Sequence, residues 1–148
     1  MLDKATICNA LGAELVERGK RIQRGFDDLN SAVSDDSKST AGDKHETGRA
    51  MVHLEQEKLS QQLTKLNQLK EAFAKINPKE NHNSIQFGSI AYTSNGIFFF
   101  SIGLGKLSVE GQDLFCLTLT SPLGQKMKNG KVGDKITMNE EVLIETIL

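Results

Sequence analysis

GDKHE, at residues 42–46, separates two long helical patterns, and the rest of the chain is arranged around it. Apolar or small residues recur at alternating spacings of three and four from Ala5 to Val33, and again from Val52 to Ile76. Residues 34–42 are polar or small throughout, which is typical of a loop. The sequence therefore predicts an antiparallel coiled-coil hairpin with an acidic tip at about residues 34–46.

Composition limits the classes of function. The chain has 148 residues, 18 Lys and Arg against 19 Asp and Glu, and a formal net charge of −1. This balance argues against general nucleic-acid binding, so any such contact requires a local basic patch. Cys8 and Cys116 lie far apart in the sequence, which predicts free thiols in a reducing cytosol. We recognise no signal peptide and no apolar run of membrane-spanning length, so we expect a cytoplasmic protein that does not bind a membrane.

The two helices have complementary sequences. We expect the first to run from near Asp3 to about Val33, and the second to run from near Asp43 to a point before Pro78. The first pattern contains glycines where the second contains large side chains. If the loop is centred near Lys38, Gly19 faces Leu59 and Gly12 faces Leu66.

The composition changes after Ile76. Residues 78–84 read as a linker, and residues 85–148 as a compact antiparallel sheet of five or six strands with one short helix. Ser121-Pro122 gives that helix a capping hydroxyl and a proline at its first position, and Asn129-Gly130 ends it. The predicted fold class is α+β, with a helical hairpin at 1–77 and a β domain at 85–148.

A short basic cluster lies on the first helix. It can be a solvated face beside the helix–helix contact, or it can bind nucleic acid or an acidic protein surface. Its members are Arg18, Lys20, Arg21 and Arg24.

Three motifs carry a resemblance to a known family. SPLG at 121–124, followed by GKVGD at 130–134, resembles the SPLG…GKxxGD signature of Gre-type transcription elongation factors, and GDKHE resembles their GDLKE motif. The resemblance covers nearly the whole chain and implies an N-terminal coiled coil followed by a domain with an FKBP-like fold. Because a long coiled coil needs a base that fixes its depth, we also expect the β domain to bind the partner. The candidate contacts are the exposed edges of the sheet and, in SPLG and GKVGD, the residues Ser121, Pro122, Gly124, Gly130, Gly133 and Asp134.

The resemblance further implies a function. Gre-type factors insert the coiled coil into the secondary channel of bacterial RNA polymerase and promote cleavage of backtracked transcripts near the nascent RNA 3′ end. Asp43 and Glu46 then correspond to the acids that share Mg²⁺ with the polymerase, so they are the expected catalytic and metal residues, and only in the complex. Magnesium prefers oxygen ligands and often takes only one or two protein carboxylates. The factor itself is expected to be a monomer, with no intrinsic cofactor and no enzymatic activity alone.

Several alternatives remain. Asp43 and Glu46 also match a capping box at a helix start. Lys44 stands where the family has leucine and Arg49 adds a second positive charge, so a regulator that occupies the same channel without cleavage is the main alternative. A coiled-coil adaptor is a third interpretation. The lack of Trp disfavours prolyl isomerisation, and two cysteines cannot form the site of zinc-finger channel binders. Lone histidines such as His45 are seldom metal ligands.

Overall fold

Two long helices open the chain. The computed structural model describes residues 1–36 and 42–148, and the side chains of residues 1–34 and 48–148. Helix α1 spans Lys4–Asp36 and helix α2 spans Gly42–Ala74, each with 33 residues. Asp3 caps α1 by accepting a hydrogen bond from the Thr6 N–H at 2.7 Å. Hydrogen bonding to the Thr6 side chain, and then to its N–H, lowers the pKa of the Asp3 carboxyl. Within the described ranges, the chain contains no helix that is long and apolar enough to cross a membrane.

The chain forms two compact units that do not coincide with the boundaries between the secondary-structure types. One unit comprises Met1–Ala13 and Leu69–Leu148, and the other comprises Glu14–Gln68. The start of α1 and the end of α2 therefore belong to the same compact unit as the sheet. A fragment that begins at Ile85 lacks part of this unit, so functional experiments should use the full chain.

In the unit formed by Glu14–Gln68, α1 contacts α2 in a register that differs from the prediction. Leu59 lies against Gly25, where an added Cβ would be 2.9 Å from the Leu59 Cδ2 atom, and not against Gly19. In the other unit, Gly12 lies against the Phe73 ring, and not against Leu66. The predicted pairing assumed a loop centred near Lys38. Both observed contacts again place a large side chain against a glycine, but they lie about two helical turns from the predicted register.

The contact at Gly25 gives a first test. Gly25→Leu is expected to destabilise the protein by roughly 1–3 kcal/mol, because the added side chain occupies the space of Leu59. Urea denaturation followed by circular dichroism measures the change. Ala32→Leu adds a leucine at an exposed α1 position and serves as the control. Combining Gly25→Leu with Leu59→Ala should restore part of the loss; strictly additive effects would contradict the contact.

A six-stranded sheet follows the helices. Its strands are β1 Ile90–Thr93, β2 Gly96–Phe100, β3 Gly105–Val109, β4 Gln112–Leu117, β5 Lys135–Met138 and β6 Glu140–Ile147. They lie in the order β3-β4-β2-β1-β6-β5. Short helix α3, Pro122–Met127, lies between β4 and β5 in the chain. The α+β class is therefore confirmed. Ser94-Asn95-Gly96, whose residue types predict a hairpin turn, connects β1 to β2.

The sheet is mixed, so the prediction of a wholly antiparallel sheet was wrong. β4 pairs antiparallel with β3 but parallel with β2, and it lies between them. Leu114 and Cys116 of β4 are almost fully buried, which suits a central strand, whereas β3 takes the edge, where Lys106 can reach solvent. The prediction assumed that strands adjacent in sequence also pair. Burial of β4 outweighs that tendency here.

Both faces of the sheet are covered in part. On one face, Met127 of α3 packs in a core cluster with Ala91, Phe98 and Phe100. The other face carries Tyr92, whose hydroxyl accepts from the Leu2 N–H at 3.0 Å and donates to the Leu2 carbonyl at 3.1 Å. These bonds attach the residues before α1 to β1. Ile7 and Leu11 of α1 are fully buried in the same compact unit.

Candidate functional site

The acidic residues of GDKHE lie at the start of α2. That helix begins at Gly42, so Asp43 and Glu46 occupy its first two turns. A spacing of three places two helical positions on one face. In the capping-box alternative, Asp43 would occupy the position just before the first helical turn, and this alternative stays open. The side chains of Asp43, Glu46, Lys44 and His45 lie outside the described residues, so their roles stay predictions.

The basic cluster of α1 is mostly paired with acids of the same helix. Glu14 Oε1 accepts from Arg18 Nε at 3.3 Å and from Arg21 Nη2 at 3.1 Å, and Glu17 pairs with Lys20 at 3.2 Å. Such exposed pairs contribute little to stability, but they offset the positive charge. Arg24 forms no ion pair with any residue in the described parts of the chain. This arrangement favours a solvated face, and binding to nucleic acid stays a prediction.

The SPLG motif forms the start of α3. Ser121 is the N-cap residue, and its hydroxyl accepts from the Gly124 N–H at 3.0 Å and donates to the Thr118 carbonyl at 2.7 Å. Pro122 occupies the first turn, where its missing N–H costs nothing. Gly124 is buried against residues 118–119 so closely that a Cβ there would be 2.7 Å from the Leu119 Cα atom. The motif therefore has a local structural role, whatever it binds.

The GKVGD motif forms the turn after α3. Its Asp134 Oδ2 accepts from the Lys131 N–H at 2.8 Å, and Gly133 has a φ of +92°, which side-chain-bearing residues rarely adopt. Gly130 accepts a hydrogen bond from the Ile85 N–H at 2.9 Å. A Cβ at Gly130 would lie 2.9 Å from the Met127 carbonyl oxygen. The glycines and the aspartate thus define one turn beside the core.

The predicted partner-binding residues differ in their exposure. Pro122, Gly133 and Asp134 are exposed, Ser121 and Gly130 are half-buried, and Gly124 is buried. A partner can therefore reach the first three directly. Gly124 can influence binding only through the shape of α3.

A polar cluster, buried except for the exposed Glu80 side chain, was missed by the sequence analysis. It joins Lys4 of α1, Glu80 and His82 of the predicted linker, and Ser89 next to β1. The side chains of Lys4 and His82 are almost fully buried, although both residue types usually lie at the surface. One sequence signal was available: Lys4 precedes Cys8, Leu11 and Leu15 at spacings of four, three and four, on the buried face of α1.

Among the residues whose side chains the structure describes, no group of three or more His, Cys, Asp or Glu could hold a metal ion. The candidate magnesium residues Asp43 and Glu46 lie outside that set. In comparisons with known proteins, no family model, no curated protein and no solved structure matches this chain.

Proposed function

We propose that this chain is a Gre-type transcription elongation factor that binds RNA polymerase through the secondary channel and stimulates cleavage of backtracked transcripts. One observation carries the proposal: GDKHE begins a 33-residue helix directly after another of equal length, and SPLG and GKVGD form a capped helix and its turn in the following sheet. The three motifs follow one another along the chain in the same order as the motifs of Gre-type factors that they resemble.

The contacts between the helices support a coiled-coil hairpin. Within Glu14–Gln68, Gly25 of α1 lies against Leu59 of α2. Within the other unit, Gly12 of α1 lies against Phe73 of α2. Among the described residues of Glu14–Gln68, only Leu15 and Leu66 are buried, as expected for a thin two-helix rod. A helix of 33 residues is about 50 Å long, which suits insertion into a deep channel.

Asp43 and Glu46 supply the chemistry in this proposal. Their spacing allows both carboxylates to contribute oxygen ligands to one magnesium ion, which the polymerase also holds. An ion held by Asp43 and Glu46 would supply activation of water and stabilisation of the charge on a leaving oxygen. The chain needs no active-site pocket, because its acids complete a site in another enzyme. The sheet domain, proposed to be FKBP-like, then anchors the rod through the exposed part of residues 121–134.

A regulator that occupies the channel without cleavage is the second candidate. The observation in its favour is the charge of Lys44 and Arg49 near the proposed metal residues. Positive side chains there oppose cation binding unless they face phosphate groups.

Binding and activity assays separate the candidates. The full chain is first mixed with the cognate RNA polymerase in a pull-down, and then added to a stalled, backtracked complex at saturating magnesium. Binding with release of short RNA supports the cleavage factor. Binding without release, together with altered nucleotide addition, supports the regulator. If the folded chain does not bind the polymerase, both proposals are wrong and the adaptor interpretation takes their place.

A further inference from the structure

The polar cluster connects the start of α1 to residues 80–82 and residue 82 to the residue before β1, through the side chains of Lys4, His82 and Ser89. Lys4 Nζ donates to the Glu80 main-chain oxygen at 2.6 Å, so α1 is bonded to residue 80. His82 Nδ1 lies 2.7 Å from Ser89 Oγ, so residue 82 is bonded to the residue before β1. The exposed Glu80 carboxylate lies 3.7 Å from His82 Nε2. All of these residues belong to one compact unit.

Ser89 can serve His82 in either protonation state. Its hydroxyl oxygen accepts from the Gln86 N–H at 3.0 Å and has two possible acceptors for its single hydrogen, His82 Nδ1 at 2.7 Å and the Ser84 carbonyl at 3.3 Å. With neutral His82, the hydroxyl donates to Nδ1 and the Nε2–H faces Glu80. After protonation, Nδ1–H must donate to Ser89, and the hydroxyl hydrogen must turn to Ser84.

Two charged groups face His82, and they act in opposite directions. Burial disfavours the charged ring, the Lys4 ammonium adds repulsion, and the Glu80 carboxylate partly offsets both, so that the pKa of His82 is lowered from its ordinary 6.5. Lys4 forms no salt bridge with a carboxylate of the described residues. Burial lowers the pKa of the Lys4 ammonium, and Cys8 and Glu80 partly offset this effect. While charged, the ammonium repels a protonated His82 ring. Cys8, the other titratable group beside Lys4, is buried, and its pKa is raised by burial.

We propose that Lys4, Glu80, His82 and Ser89 form an acid-sensitive latch that holds the first turns of α1 to the segment before β1. The latch is closed while His82 is neutral. Protonation of His82 places a second cation beside Glu80, and repulsion between this cation and the Lys4 ammonium weakens the attachment of Lys4. The Ser89 hydroxyl hydrogen also turns to its longer bond with the Ser84 carbonyl.

The sign of the pH dependence follows from linkage. Above pH 6.5, His82 is neutral in both the folded and unfolded chain, so it causes no change in stability. Below pH 6.5, the unfolded chain takes up this proton more readily than the folded chain. The contribution of His82 to stability is therefore lost as the pH falls from 6.5 through the lowered pKa.

The titration of His82, followed by NMR on the intact protein, tests the latch. The midpoint is expected below 6.5 in the wild type, and it should rise in Lys4→Met because the repelling charge is gone. Amide hydrogen exchange at Ile7 and Cys8, corrected for its intrinsic pH dependence, should accelerate below the midpoint. In His82→Asn, which keeps an acceptor near Ser89, this acceleration should disappear.

His53→Asn is the matched control, because His53 is exposed on α2; it should keep the acid response of the wild type. A His82 midpoint at or above 6.5 would overturn the proposal. So would an unchanged midpoint in Lys4→Met, or an acid response of Ile7 and Cys8 that persists in His82→Asn. If His82→Asn does not fold, the wild-type and Lys4→Met midpoints decide the question alone.

Discussion

Asp43→Asn and Glu46→Gln are each expected to reduce stimulated transcript cleavage by about 100-fold or more, which corresponds to roughly 3 kcal/mol in the barrier. The amides keep the size of the side chains but remove the negative charge that holds a divalent cation. Binding to the polymerase should change little. The stability of α2 should fall by at most about 1 kcal/mol for each variant, through the loss of acidic charge near the helix start.

Rates of short-RNA release from a backtracked complex, measured across magnesium concentrations, check this expectation. Asp28→Asn on α1 and Glu57→Gln on α2 remove exposed acids from the same helices and should leave the rate unchanged. If Asp43 and Glu46 serve only the helix start, their variants will lose helix stability and keep the rate. If the wild type itself releases no short RNA, the cleavage function is wrong and the regulator remains.

Gly124→Ala should produce the largest loss of stability of any single methyl addition considered for this chain. The new Cβ would meet the Thr118 carbonyl oxygen and lie 2.7 Å from the Leu119 Cα atom, both of which are main-chain atoms that cannot rotate away. We expect destabilisation of about 3 kcal/mol or more, because α3 must move away from residues 118–119. This corresponds to a fall in Tm of roughly 10 °C.

Gly103→Ala is the matched control for that experiment. A Cβ at Gly103 would lie 3.8 Å from Cγ2 of the same Thr118, which is an ordinary van der Waals distance. Thermal and urea unfolding of the two variants should therefore differ widely. Equal stability would show that Gly124 does not contact the main chain so closely, and that its place in the SPLG motif has another cause. Polymerase binding by folded Gly124→Ala then reports whether the shape of α3 matters for docking.

Local signals account for the parts of the fold that were predicted correctly. Asp3 and Pro78 bracket the helical patterns, and the observed α1 and α2 begin and end within a few residues of the predicted limits. Ser121-Pro122 and Asn129-Gly130 bracket α3 in the same way. Each signal acts through hydrogen bonds or backbone angles within about four residues. Such constraints can be predicted from neighbouring residues alone, whatever the rest of the chain does.

The candidate site was predicted only in part, because its contacts join residues that are distant in sequence. The motifs could be located in the sequence, but the steric requirement at Gly124 depends on residues 118–119 turning back over α3. The latch depends on Lys4 meeting residue 80 and on His82 meeting Ser89. Lys4 lies in register with the buried face of α1, but its spacing does not identify its partner, and a histidine in a polar segment carries no local mark of burial. Their pairing appears only after the chain has folded.

By itself, the sequence determined the α+β class, the extents of α1 and α2, the hairpin between β1 and β2, and the capped helix α3, because these follow from short-range spacing, capping and turn chemistry. Only the tertiary structure decided that Leu59 lies against Gly25, that β4 enters beside β2 in parallel, and that Lys4 and His82 are buried together. Each of these depends on which distant surfaces fit closely and exclude water. Several pairings satisfy the same local pattern, and packing selects one of them.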